Sequence, residues 1–199
     1  VTGIYALVEP AAHPDPLAYV DALLRGGIRL VQVRAKGGID VALLDAIVAR
    51  IRAAGGTAIV NDDVELALRA DGVHLGQEDA AELDLAGVRK RLGSRLVGLS
   101  CGTPAEARAV DPRYVDYIGV GPIFATSSKA DAGGPIGVNG VRVVVEASPV
   151  PSAAIGGITL AGIPRVRESG AAMAAVISAL ARSSDPESAA RAFVQAWAA

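Results

Sequence analysis

Cysteine, methionine and tryptophan each occur once in this chain of 199 residues, and phenylalanine and histidine twice. A lone Cys101 excludes an internal disulfide, and two histidines as far apart as His13 and His74 argue against a zinc site built on nitrogen and sulfur ligands. Any metal is therefore expected to take oxygen ligands. Charge of one sign is lacking as well. A formal net charge of -2, with Arg interspersed among Asp and Glu, leaves no basic face for a phosphate backbone, so nucleic acid is not expected as a partner. Nothing approaches the roughly 18 consecutive apolar residues of a membrane-spanning helix, and Val1 to Pro10 has neither the basic start nor the small-residue cleavage site of a signal peptide. The expectation is a soluble, cytoplasmic protein with no membrane partner. A hydrophobic share of 51% over this length supports one sizeable core, hence a single domain over residues 1–199.

What is present is an alternation. Short β-branched runs are each followed by an Ala/Leu/Arg-rich stretch of helical period, the signature of βα units around a parallel sheet. Eight strands are expected: Ile4 to Val8, Leu30 to Arg34, Thr57 to Val60, Gly72 to Leu75, Leu96 to Ser100, Tyr114 to Val120, Ser152 to Ile155 and Ala172 to Val176. Asp15-Pro16 and Asp185-Pro186 mark helix starts, an acceptor at the cap followed by Pro where no N–H is needed. Eight units without a glycine-rich turn after the first strand favour a closed (βα)8 barrel, the TIM-barrel fold, over a doubly wound open sheet. The connection from Gly121 to Gly137 is much longer than the rest and rich in Gly, Ser, Thr and Pro, as functional loops often are; it is expected to act as a lid.

In such a barrel the active site lies at the C-terminal ends of the strands. On the second strand the period of two places Gln32, Arg34 and Lys36 on one face and Val31 and Val33 on the other. Buried cations need an anion, either a ligand or a carboxylate from a neighbouring strand. The third and fourth strands run into Asn61-Asp62-Asp63 and His74-Leu75-Gly76-Gln77-Glu78-Asp79, so Asp62 and Asp79 stand after adjacent strands and suit Mg²⁺, while Asp63 is expected to cap a helix over Val64 to Arg69. A role for Asp62 and Asp79 as helix caps is the alternative. His74 reads as a satisfied core histidine. Ser100 ends the fifth strand, and its neighbour Cys101 reads as a small buried hydrophobe, because no His lies near it in sequence to activate it. Thr126, Ser127, Ser128 and Lys129 lie on the long loop; of the three lysines, Lys36 and Lys129 both fall at site positions. Gly156-Gly157 and Ile177-Ser178 follow the last two strands, where bare backbone N–H groups often hold phosphate in this fold.

Gln32-Val33-Arg34-Ala35-Lys36, Asn61-Asp62, Ala70 to Asp79, Gly121-Pro122-Ile123-Phe124 with Thr126 to Lys129, Ala154 to Ile158 and Val176-Ile177-Ser178 together resemble the thiamine phosphate synthase family, the stretch ending at Asp79 being the most specific. Its members join hydroxymethylpyrimidine diphosphate to a thiazole phosphate and release diphosphate. The resemblance implies a transferase in which Asp62 and Asp79 hold Mg²⁺ while Arg34, Lys36, Asn61 and Lys129 neutralise the diphosphate. Gln32 would meet the pyrimidine, Ser100 would position it, and Gly157, Ile177 and Ser178 would bind the thiazole phosphate beside Thr126 and Ser128. Ser100, Lys129 and Arg34 are the residues it makes catalytic. The chain departs from the family at Val8-Glu9 in place of Thr-Asp, Gly102 in place of His, Ala172 in place of Asp, and Ser128 in place of Thr. The alternatives are a thiazole tautomerase-like isomerase of the same superfamily, and a non-catalytic barrel binding thiamine-pathway phosphates. Oligomeric state is left open, a homo-oligomer included.

Overall fold

Eight parallel strands close on themselves in sequence order, β1 pairing with β2 on one side and with β8 on the other. The computed structural model describes residues 2–76, 84–126 and 134–199. The strands are β1 (Gly3–Val8), β2 (Leu30–Val33), β3 (Thr57–Asn61), β4 (Gly72–Leu75), β5 (Leu96–Ser100), β6 (Tyr117–Val120), β7 (Ser152–Ile155) and β8 (Met173–Val176). The expected closed (βα)8 barrel is the fold found. Three strands are shorter than expected, β8 by its first residue, Ala172, and β2 and β6 for local reasons. β2 stops at Val33, after which a turn bonds Gly38 N–H to the Ala35 carbonyl, and β6 starts at Tyr117 because Tyr114 and Val115 both donate to Asp111 in a preceding turn.

The helices outside the sheet are α1 (Pro16–Arg25), α2 (Val41–Ala53), α3 (Val64–Ala67), α4 (Leu85–Leu92), α5 (Pro104–Ala109), α6 (Gly137–Ala147), α7 (Ile163–Glu168), α8 (Ser178–Ala181) and α9 (Pro186–Ala198). Their starts follow from side-chain caps. Asp15 accepts from Ala18 N–H, Asp40 from Leu43, Asp63 from Leu66 and Asp185 from Ser188, and Thr103 with Glu106 forms a reciprocal capping box. α3 ends at Ala67, two residues short of the expected Arg69.

Alternation along each strand divides the core in two. Tyr5, Leu7, Leu30, Ile59, Tyr117, Ala153, Met173 and Ala175 fill the barrel, while Ala6, Val8, Val31, Val33, Val60 and their equivalents pack against the helices. The interior is narrow where it holds rings. A Cβ at Gly98 would lie 2.2 Å from Tyr117 Cζ and 2.5 Å from His74 Nδ1, and one at Gly119 would lie 3.0 Å from His74 Cε1. Two ring side chains thus fit inside because the facing positions on β5 and β6 carry no side chain. Gly98→Ala is expected to cost about 1–3 kcal/mol of stability through overpacking. Urea unfolding of the variant would check this, and an unchanged midpoint would show that the rings have room to move aside.

Candidate active site

The barrel's C-terminal mouth is built from the strand ends, and β1 and β2 supply its best-anchored charge. Pairing continues one residue past β2, Arg34 N–H donating to the Val8 carbonyl at 2.8 Å, so Arg34 stands one layer above Gln32. Its guanidinium forms an ion pair with Glu9, the residue after β1; the Arg34 side chain is 11% exposed and that of Glu9 40%. The carboxylate that a buried arginine needs is therefore present in the protein itself. Glu9 had been legible only as a departure from the family pattern. Its role follows from strand adjacency, since the ends of β1 and β2 are in register from Tyr5–Leu30 to Val8–Val33.

Lys36 does not continue the Gln32–Arg34 face. The turn after Val33 carries it, exposed, out of the strand period, and it lines a cleft of ≈ 370 Å³ between the loops after β2 and β3 together with Asn61, Asp62 and Asp63. A period of two holds only while the chain is extended, and the strand had already ended.

Asp62 and Asp63 divide the two roles that carboxylates after a strand can play. Asp63 caps α3. Asp62 does not: its backbone is left-handed, φ 61°, the only such non-glycine residue among the described ones, and its Oδ1 accepts from Gly76 N–H at 3.1 Å while the Asn61 amide donates to its Oδ2. A left-handed aspartate costs roughly 1 kcal/mol or more and persists where its surroundings require it. The effect is to turn an exposed carboxylate back over the end of β4, at the start of the segment that carries Asp79. Asp79 itself lies outside the described residues, as do Ser127, Ser128 and Lys129, so the expected lid and the second carboxylate have no structural description here. Among the described residues no group of three or more His, Cys, Asp or Glu side chains gathers as a ready-made metal site. Asp62 and Asn61 offer hard oxygen atoms of the kind Mg²⁺ takes, and the ion commonly relies on one or two carboxylates with substrate phosphates completing its shell, so the donors present fit it.

Below the rim lies a hydrogen-bonded floor that crosses the barrel. Gln32 Nε2 donates to the Tyr5 hydroxyl at 2.7 Å, the Tyr5 and Tyr117 hydroxyls are 2.9 Å apart, His74 Nδ1 is 3.2 Å from the Tyr117 hydroxyl, and His74 Nε2 is 3.2 Å from Ser100 Oγ. Gln32, Tyr5 and Tyr117 are at most 2% exposed. Burial holds both phenols well above the usual tyrosine range, so both remain neutral hydroxyls. Tyr5 and Tyr117 were not singled out in the sequence, where each reads as an ordinary strand aromatic. The discoverable signal was Gly98 and Gly119 on inward-facing positions of the two strands that follow that of His74. Cys101 is buried and its thiol is pushed up to about 11 by desolvation and secondarily by Glu106, which leaves it protonated and without nucleophilic character.

On the far side, Gly156 and Gly157 have φ of 102° and 63°, and a Cβ at Gly157 would lie 2.3 Å from the Ala125 carbonyl oxygen. Only glycine fits this crossing. The start of the long loop is strapped to it by Ile123 N–H to Ile155 and Phe124 N–H to Gly156, and both ends of the loop are tied by Ile136 N–H to Pro122 and Gly137 N–H to Ile123. Thr126, half-buried, follows this strap. Ile177 precedes the first turn of α8 and Ser178 opens it, and N–H groups of a first turn have no intrahelical acceptor.

A sequence profile of the family described as thiamine monophosphate synthase matches residues 4–180. The bifunctional thiamine biosynthesis protein ThiM/ThiE of Symbiobacterium thermophilum is 46% identical over 199 residues, an alignment covering 96% of this chain; the chain spans 40% of that relative's length. The thiamine-phosphate synthase of Herpetosiphon aurantiacus is 42% identical over 198 residues, covering 96% of this chain and 94% of the relative. The solved thiamine phosphate pyrophosphorylase of Pyrococcus furiosus superposes with a TM-score of 0.88 at 28% identity, covering 99% of this chain and 96% of that one. A barrel with this mouth, matched along nearly its whole length, belongs to the thiamine monophosphate synthase family.

Proposed function

We propose that the protein is a thiamine phosphate synthase that couples hydroxymethylpyrimidine diphosphate to a thiazole phosphate with loss of diphosphate, and that it requires Mg²⁺. The observation that carries this is the rim, where Arg34, Asn61 and Asp62 stand at adjacent strand ends above a hydrogen-bonded polar floor. Such a mouth suits a substrate with a polyanionic tail and an uncharged polar ring.

The bond that breaks joins the pyrimidine methylene carbon to a diphosphate oxygen, which keeps the electron pair; the thiazole nitrogen supplies the pair for the new C–N bond. Arg34 meets the charge growing on the leaving oxygens, and Lys36, Asn61 and Lys129 are assigned to the same task, because preorganised donors act most strongly where charge develops. Asp62 and Asp79 are assigned to hold the metal, which when bound would supply Lewis-acid stabilisation of the leaving group. Gln32 and Ser100 bind the pyrimidine ring. Gly157, Ile177 and Ser178, with Thr126 and Ser128, receive the thiazole phosphate. No protein nucleophile is needed, in keeping with the protonated Cys101 thiol. With this function go small-molecule partners and a cytoplasmic setting; among the described residues no helix is long and apolar enough to cross a membrane.

The test is purified protein with both substrates, with and without Mg²⁺, and detection of thiamine phosphate. Product is expected only when both substrates and the metal are present. Binding of thiamine phosphate without its formation would favour the non-catalytic barrel, and isomerisation of a thiazole carboxylate phosphate without metal would favour the tautomerase.

A further inference from the structure

The floor of the site has a direction. Tyr5 oxygen accepts the Gln32 amide proton, and of the two senses open to the Tyr5 and Tyr117 hydroxyls, 2.9 Å apart, only donation from Tyr5 to Tyr117 gives both hydroxyl protons an acceptor among the described residues. Tyr117, accepting there, has its own proton for His74 Nδ1. In that sense His74 accepts at Nδ1, and its Nε2 proton faces Ser100 Oγ at 3.2 Å. Five residues from five strands thus point their protons one way, from Gln32 on β2 to Ser100 on β5. At the head of the chain Gln32 Oε1 is buried and has no partner among the described residues. An orphaned buried acceptor is costly, and a ligand N–H would relieve it.

We propose that this one-way chain writes the hydrogen-bond code of the ring pocket, with Tyr5 as its positioning residue: Gln32 offers an acceptor to an exocyclic amine on the substrate ring, and Ser100 offers a donor to an acceptor atom of the ligand. Tyr5 holds the code because it occupies the Gln32 nitrogen. With that nitrogen committed, the amide can present only its oxygen. Without the Tyr5 hydroxyl the amide is able to turn over and present either end, so discrimination between a ring amine and a ring carbonyl is lost although nothing touching the ligand has changed. Tyr117 holds the same code one link further along, since losing its oxygen leaves the Tyr5 hydroxyl able to pair with either end of the Gln32 amide, so that both orientations become available.

This inference rests on the proposal that the pocket takes an aminopyrimidine diphosphate, and equilibrium binding separates the two. Calorimetry with Mg²⁺ present would compare the aminopyrimidine diphosphate with its counterpart bearing oxo in place of the amine, on the wild-type protein, Tyr5→Phe and Tyr117→Phe. Wild type is expected to favour the amine by roughly 10- to 100-fold, because the oxo counterpart leaves the buried Gln32 oxygen unpaired. Each Phe variant is expected to bring the preference within about fivefold while binding of the thiazole phosphate stays unchanged, a split that mere loosening of the barrel would not produce. An unchanged preference in a folded Phe variant would overturn the inference, and so would a wild-type protein indifferent to the exchange. If Tyr5→Phe fails to fold, Tyr117→Phe decides. A protein that prefers the amine in this Tyr5-dependent way yet never forms thiamine phosphate would sink the synthase proposal and leave the code standing.

Discussion

Asp62→Asn is expected to lower thiamine phosphate formation roughly 100-fold or more, the several kcal/mol that a Lewis-acid metal contributes to a leaving group, with partial recovery at high Mg²⁺ and no loss of fold. Asparagine keeps the size, one oxygen ligand and the tolerance for left-handed backbone, so φ 61° at this position should survive the exchange. What it removes is the charge. A diphosphate beside an uncompensated carboxylate is repelled, so an aspartate at this mouth makes sense chiefly with a divalent cation between the two. The helix-cap account predicts the opposite, because Asn caps as well as Asp. For Asp62 that account has already failed on geometry: the cap of α3 is Asp63, whose side chain accepts from Leu66 N–H, while Asp62 is held toward Gly76. Asp63→Asn is therefore the matched control and should leave activity within a few-fold. Steady-state rates across a Mg²⁺ titration would check all of this; near-normal, metal-independent activity in Asp62→Asn would remove the metal assignment and with it the main support for Mg²⁺ in the proposed mechanism.

The contrast between Asp62 and Asp63 illustrates what the chain discloses before it folds. Strands were legible because apolar runs such as Leu30 to Val33 and Gly72 to Leu75 are short and set between helical stretches with Asp or Thr caps, all local information. Local rules also place Gln32 inward and Val31 and Val33 outward. They fail where a contact is made by closure. Tyr5 and Tyr117 meet across 112 positions of sequence, and their hydroxyl pair exists only because β1 and β6 face each other across a closed barrel. Arg34 and Glu9 pair across 25 positions because β1 and β2 are neighbours, which the fold class implies but the composition does not. Lys36 was misplaced for a smaller reason, since the strand ends three residues before it and a turn then sets its direction.

Arg34→Met is expected to lower kcat/KM for the pyrimidine diphosphate by about 10²–10³, the usual consequence of deleting one preorganised donor to developing negative charge. A competing explanation lies in the structure itself, because Arg34 is already paired with Glu9 and an arginine can be retained only to neutralise a carboxylate. Geometry separates them. The guanidinium has five N–H donors in a fork, and among the described residues Glu9 engages it through Nη1. Glu9 is the more exposed partner and its charge is shared with water, so it does not need the arginine as much as the arginine needs a counter-ion. Before substrate arrives, Glu9 would keep a nearly buried cation paired; when the diphosphate arrives, the remaining donors receive it. Glu9→Gln should then cost more than the loss of an exposed pair, roughly 1–3 kcal/mol of stability, because a largely buried cation loses its counter-ion, and diphosphate binding should hold or tighten because a nearby negative charge is gone. The double variant Arg34→Met with Glu9→Gln decides between the accounts. If the arginine serves the substrate, the double variant stays as inactive as Arg34→Met alone, whatever its melting temperature. If the pair is purely structural, removing both partners relieves the uncompensated charge and restores both stability and rate, and recovery to within a few-fold of wild type would take Arg34 out of the catalytic machinery.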